Sequence, residues 1–161
     1  PNAKDEVNLL SKGDHYGWLD ARTREQYVET DYHRPVVNTG KETWAPTGSV
    51  FYTGDEVPAL TNRLLVGALR GQHINVVTLS PRNAALPPVE DARARRFDGW
   101  HDTRFTATSH QLFPDELGRI RCVGQSPDGD VLAITSNRDG RSLDEQFPRD
   151  DDDRLVRVVQ P

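Results

Sequence analysis

Gly118-Arg119-Ile120-Arg121-Cys122-Val123-Gly124-Gln125-Ser126-Pro127-Asp128-Gly129, continued by Asp130-Val131-Leu132-Ala133-Ile134-Thr135-Ser136-Asn137, decides how the chain is read. Ser-Pro-Asp-Gly followed by an apolar run predicts a tight turn feeding a buried strand. The half before it carries arginines at alternate positions, which an extended chain points to one face. Two guanidiniums side by side repel unless an anion or a carboxylate lies between them. The pair is therefore a candidate anion site. The ordinary alternative is two surface arginines flanking Ile120 and paired to Asp115 and Glu116.

Outward from this stretch the pattern is all-β. Leu64–Leu69 is a continuous apolar run of the kind a strand buried on both faces shows. Arg70-Gly71-Gln72 reads as a hairpin turn, and His73–Leu79 as the returning strand. Ala45–Tyr52 is a turn running into a strand, and Leu155–Val159 a last strand. Shorter strands are expected at Glu6–Leu10, Pro35–Val37 and Ala92–Phe97, and a weak helix at Leu19–Val28. Asp98–Gln111 reads as irregular and Asn137–Asp153 as a charged loop. Ala45–Val50 matches Ser126–Val131, and Ile74–Leu79 faces Leu155–Gln160 at the same offset. Repeated small antiparallel sheets are the pattern of β-propeller blades, here with long insertions relative to compact repeats of about 40–50 residues.

The 161 residues suffice for one modest domain, and 35% hydrophobic content with 12 Gly and 11 Pro suits short strands and many turns. A net charge of −5 with interspersed signs gives no reason to expect nucleic acid as a partner. Cys122 is the only cysteine, so an internal disulfide and a cysteine zinc cluster are excluded; it reads as a small core residue. His15, His33, His73, His101 and His110 lack metal-ligand spacing. Asp150–Asp153 reads as a solvated loop, without the alternating ligands and glycine of a calcium loop. No phosphate-cradling glycine loop or nucleophile elbow is present, and no apolar run is of membrane length. Trp18, Trp44 and Trp100 read as packing anchors.

Four ordered motifs add a resemblance. Pro1-Asn2-Ala3-Lys4-Asp5-Glu6-Val7-Asn8-Leu9-Leu10 with Gly13-Asp14-His15-Tyr16-Gly17-Trp18, then Ala45–Tyr52, Leu64–Gly71 and Arg119–Gly129, resemble the soluble quinoprotein glucose, aldose and sorbosone dehydrogenases. The resemblance implies a six-bladed β-propeller of four-stranded antiparallel sheets. Residues 1–161 would supply about the last two to three blades of that single domain, incomplete alone and partnered by N-terminal blades. It implies pyrroloquinoline quinone (PQQ) and calcium as cofactors and oxidation of a sugar hydroxyl by hydride transfer to the quinone. It places Pro1 at a backbone-carbonyl calcium ligand and Asp5 beside the catalytic base, a histidine outside this chain. Arg70, Arg119, Arg121 and Trp44 fall at cofactor-binding positions. The arginines suit the carboxylates of PQQ, and calcium takes oxygen ligands. It further implies a periplasmic, secreted or envelope-anchored (lipoprotein) location. The loop before Ala45, aromatic in that family, is rewritten here, with Trp44 immediately before Ala45. That change motivates an alternative of another class: a non-catalytic propeller binding a protein or glycan.

Overall fold

A computed structural model describes residues 3–18, 20–21, 23–84, 94–97, 101–142 and 144–159. In chain order the elements are β1 (Glu6–Val7), α1 (Arg24–Val28), β2 (Val37–Asn38), β3 (Pro46–Tyr52), β4 (Arg63–Ala68), β5 (His73–Pro81), β6 (Arg95–Phe97), β7 (Phe105–Leu112), β8 (Ile120–Gln125), β9 (Val131–Thr135) and β10 (Leu155–Val158), with a 3-10 turn at Pro58–Leu60 between β3 and β4. The chain divides into two compact units, residues 1–43 with 79–108 and residues 44–78 with 109–161.

The unit of residues 44–78 and 109–161 is built from two antiparallel meanders. In the first, Leu65 of β4 faces Val50 of β3 and Val76 of β5. Ser109 of β7 reaches β5 through a 3.2 Å hydrogen bond from its Oγ to Oδ1 of Asn75. In the second, Ala133 of β9 faces Val123 of β8 and Val156 of β10. The two meanders meet where β3 and β8 run parallel, at the single pair Gly48 and Cys122. Their buried faces share one core that includes Tyr52, Leu65, Ile74, Ile120, Val123 and Val131. The residues from Leu65 to Ala68 are all buried, as a continuous apolar strand requires. In β9 the alternation leaves Val131, Ala133 and Thr135 buried and Ile134 exposed, the pattern of a strand with one face covered.

The expected repeat holds in one half only. β5 and β10 are both third strands of their meanders, as the match of Ile74–Leu79 with Leu155–Gln160 implies. The other half is corrected: Ser126–Gly129 is the turn between β8 and β9, closed by the Gly129 N–H donating to Ser126 O at 3.0 Å. The strand that corresponds to β3, the first of its meander, is β8, not the Ser126–Val131 segment that the repeat matched with it. The cause is connection length, because the path from β3 to β4 is stretched by Thr53–Asn62 and its 3-10 turn. Tyr52 ties that longer path to the second meander, its hydroxyl donating to Gly129 O at 2.8 Å and accepting from Val57 N at 3.2 Å.

The other unit carries a short ribbon, with Glu6 and Val7 of β1 opposite Asn38 and Val37 of β2. Helix α1 is shorter than expected. It starts at a capping box in which Thr23 Oγ1 accepts from Gln26 N and the Gln26 side chain accepts from Thr23 N. Its Tyr27 is fully buried, with its hydroxyl 2.9 Å from Tyr16 O and 3.1 Å from Glu6 Oε2. Burial, reinforced by the Glu6 charge, pushes that phenol well above its usual range. The segment expected to be irregular contains a strand, β7, which Asp102 launches by accepting from the Arg104 and Phe105 N–H groups at 2.7 and 3.0 Å. Trp18 is no packing anchor: it is 81% exposed. Gly17 takes the inward position instead, at φ +69° and so close to Ala21 and Tyr27 that a Cβ would lie 2.8 Å from Ala21 Cβ. Trp100, with Ala92 and Arg93 of the expected short strand, lies outside the described residues.

A Cβ at Gly48 would lie 2.5 Å from Cys122 Sγ, so the meeting of β3 and β8 needs glycine there. Gly48→Ala is expected to lower stability by about 1–3 kcal/mol, read as a shifted urea midpoint at constant slope. Adding Cys122→Ala is expected to restore part of the loss, because the sulfur is the nearest obstacle.

Candidate functional site

The arginine pair sits where the second meander begins. Gly118, at φ +71°, turns the chain so tightly against Asn137 that a Cβ there would lie 2.3 Å from Asn137 Oδ1. The buried Asn137 amide then acts as an extra rung of the ladder. Its Oδ1 accepts from Arg119 N at 2.8 Å and its Nδ2 donates to Leu117 O at 3.0 Å. Ser136 N donates to Arg119 O at 2.9 Å. Arg119 is thus fixed through its backbone before its side chain makes any contact.

Its guanidinium is nearly buried, with the side chain 10% exposed. Nε donates to Ser136 O at 3.3 Å, Nη1 to Leu69 O at 3.4 Å, and Nη2 to Asp139 Oδ2 at 2.9 Å. Arg121 follows at a register shift: Ile120 faces Thr135 but Cys122 faces Ile134, leaving Arg121 as the extra residue of a β-bulge. Its side chain is 48% exposed. Its Nη2 donates to Ser136 Oγ at 3.0 Å and to the same Asp139 Oδ2 at 3.2 Å. The carboxylate between the two like charges is therefore Asp139, not Asp115 or Glu116. Asp139 Oδ1 in turn accepts from Arg141 N at 3.0 Å. Burial raises the Asp139 pKa, but the hydrogen bonds from Arg119 and Arg141 N and the charges of Arg119 and Arg121 outweigh it and hold the carboxyl below its usual range.

The neighbouring turn between β4 and β5 carries Arg70. Trp44 O accepts from both Arg70 N and Gly71 N at 3.1 Å. The Trp44 indole is 2% exposed and meets the His73 ring edge-on, with centroids 6.3 Å apart. Arg70 itself is exposed. Leu69 O, one residue before it, is the acceptor for Arg119 Nη1, so Arg70, Arg119, Arg121 and Trp44 gather in one region of one unit. Asp5 belongs to the other unit, pinned by its N–H to Thr39 Oγ1 and by its carbonyl to Thr39 N, both at 2.9 Å. Pro1 lies outside the described residues.

The loop behind the arginines is anchored by residues that the sequence reading left in solvent. Asp152 is buried. Its Oδ2 accepts from Arg149 N at 2.8 Å and its Oδ1 from Arg154 Nε at 3.2 Å. The Arg138 guanidinium donates to the carbonyls of Arg149, Asp150 and Asp152, and Asn137 N donates to Asp153 Oδ1. Only Asp150, Asp151 and Asp153 of that acidic run are exposed.

Two guanidiniums sharing one carboxylate retain one net positive charge. Among the described residues Arg121 keeps its Nε and Nη1 donors for a further acceptor, which is the donor chemistry that carboxylates need. The residues present therefore fit an anionic, carboxylate-bearing cofactor. They do not by themselves make a calcium site. Among the described residues no three His, Cys, Asp or Glu side chains gather to hold a metal ion. Among them, too, no helix is long and apolar enough to cross a membrane.

The two meanders are part of a β-propeller, and the all-β class holds. The chain belongs to the glucose / sorbosone dehydrogenase family, whose model matches residues 1–144. It is 25% identical over 154 residues to the aldose sugar dehydrogenase YliI of Escherichia coli (strain K12), covering 89% of this chain and 35% of that one. Among solved structures, the PQQ-bound aldose sugar dehydrogenase of Streptomyces coelicolor superposes with a TM-score of 0.65 at 21% identity, over 99% of this chain and 37% of that one. The oxidoreductase (glucose dehydrogenase) of Thermus thermophilus superposes at 0.64 with 28% identity, over 98% and 37% respectively. The chain thus spans a little over a third of the length of these relatives.

Because the folded carboxyl of Asp139 sits below its ordinary value of 3.8, its ionised form stabilises the fold above that value. The contribution is lost as pH falls through the depressed value. The stability difference between wild type and Asp139→Asn is expected to be constant above about pH 5 and to close progressively in more acid solution, as read by urea denaturation at each pH. A difference that persists unchanged into acid contradicts the pairing.

Proposed function

We propose that this chain is the cofactor-clamping part of a PQQ-dependent sugar dehydrogenase acting on an aldose hydroxyl. The observation that carries the reading is the shared Asp139 oxygen. It sets two arginines side by side with donors on the half-exposed Arg121 that are unused among the described residues, in a chain whose fold neighbours include an aldose sugar dehydrogenase solved with PQQ bound. When bound, PQQ supplies the hydride-accepting quinone chemistry of such an oxidation. Arg119 and Arg121 hold and orient its carboxylates by charge-assisted hydrogen bonds, and Arg70 adds a further positive charge on the adjoining turn. Trp44 contributes indirectly, through the carbonyl that fixes the Arg70 turn. Asp5 is the candidate acid assisting a base supplied from outside this chain. Calcium, with Pro1 as a carbonyl ligand, belongs to the same proposal by family resemblance, and no step is derived from it. So do the periplasmic or secreted location and the reading of residues 1–161 as the C-terminal part of a single propeller partnered by its N-terminal blades.

The second reading is a non-catalytic propeller that binds a protein or glycan. The burial of Trp44 favours it, because that indole presents no stacking face to a ligand. Turnover separates the two: with PQQ and calcium added, dye reduction on a panel of aldoses supports the enzyme, and cofactor binding without turnover supports the binding module.

The clamp itself is tested by titrating PQQ into the complete protein and following absorbance. Charged hydrogen bonds are each worth about 1.5–3 kcal/mol, so the double variant Arg119→Ala, Arg121→Ala is expected to bind PQQ about 100-fold more weakly or worse. Unchanged binding by the double variant refutes the assignment.

A further inference from the structure

The arginine pair already has an anion of its own. Asp139 Oδ2 takes hydrogen bonds from Arg119 Nη2 at 2.9 Å, from Arg121 Nη2 at 3.2 Å and from Ser136 Oγ at 3.4 Å. One carboxylate oxygen bridging two guanidiniums occupies the kind of position that a ligand carboxylate entering the clamp would take. We propose that Asp139 is an internal counter-anion that sets the affinity of the clamp. It holds the two arginines together without ligand, and an arriving carboxylate must share them with it or displace it. The inference rests on the cofactor-clamp reading and adds a positioning residue to it.

The two arginines depend on Asp139 unequally. Arg119 is held by Ser136 O and Leu69 O as well, so it stays in place when the carboxylate charge is removed. Arg121 has only Ser136 Oγ and Asp139 Oδ2 as side-chain partners among the described residues, and it is the more exposed of the two. Removing the charge at position 139 therefore has two opposed effects. The pair gains a net positive charge within a few ångströms of the ligand, which, screened by solvent to nearly the dielectric of water, strengthens binding by roughly tenfold. Arg121 also loses part of its ordering, which weakens binding by about a few-fold. Asparagine keeps a carbonyl oxygen to receive Arg121 and removes only the charge, so the first effect dominates in Asp139→Asn. Alanine removes both.

A residue that merely supported the fold would lower stability and affinity together. The counter-anion moves them in opposite directions. Without ligand, Asp139→Asn leaves two guanidiniums uncompensated and lowers the thermal midpoint; with ligand, the same unshared charge tightens the complex. The gain is electrostatic and shrinks as ionic strength rises and the pair is screened.

The test is a titration of PQQ, with calcium present, into the complete wild-type protein, Asp139→Asn, Asp139→Ala and the double Arg119→Ala, Arg121→Ala variant. It is run at low and high chloride and paired with thermal midpoints of the ligand-free proteins. Expected results are a lower ligand-free midpoint for Asp139→Asn, PQQ affinity about tenfold higher than wild type at low salt, a smaller gain for Asp139→Ala, and convergence at high chloride. If wild type binds PQQ and the arginine double variant does not, but Asp139→Asn binds equally or more weakly, the counter-anion role is overturned and the clamp stands. If wild type does not bind, or the arginine variant binds like wild type, the clamp reading falls and the counter-anion role with it.

Discussion

Two positive charges fixed on one strand end need a negative one between them, and the surroundings of Arg119 and Arg121 follow from that need. Asp139 supplies the charge, but a carboxylate on a loop stays in place only if the loop is held. Asn137 does so from one side by bonding the backbone at Leu117 and Arg119. The buried Asp152 and the Arg138 guanidinium do so from the other, gathering the N–H and carbonyl groups of Arg149–Asp152. The charged segment after β9 is therefore the support of the site. The charges of Arg138, Asp139 and Asp152 are spent on internal partners, which sets them apart from weakly contributing surface pairs.

The fold delivers the rest of the site through one close approach. Because Gly48 has no side chain, β3 can run beside β8. That approach places the start of β8 next to the β4–β5 turn, where Leu69 O meets Arg119 and Trp44 O holds the Arg70 backbone. The β-bulge at Arg121 then separates the two arginines by environment. One is buried and locked by backbone carbonyls, the other half-exposed with donors to spare. An arginine pair with one rigid and one adjustable arm is a direct product of that single extra residue.

Much of this was legible in the sequence because period-two alternation is a strong signal. It gave the common face of Arg119 and Arg121, while the continuous apolar run at Leu64–Leu69 marked the strand that is buried from Leu65 to Ala68. The demand for a carboxylate was legible too, but its identity was not. Asp139 is brought to the arginines by the course of a loop, and Asp115 and Glu116 were merely nearer in sequence. β7 was missed because Thr106, Thr108, Ser109 and His110 carry no apolar period; the β-branched threonines were the available sign. The repeat misaligned β3 because the matched turns precede strands of different rank, β3 being first in its meander and β9 second in the other. Trp18 points outward because the backbone at Gly17, not the size of the indole, decides which neighbour is buried.

A structure of the complete protein with PQQ bound tests the central claim most directly. The account predicts a cofactor carboxylate hydrogen-bonded to the Arg121 guanidinium and within reach of Arg119, with Asp139 sharing or yielding their donors. A cofactor bound elsewhere, with the Arg119–Asp139–Arg121 bridge intact and untouched by it, would contradict the account.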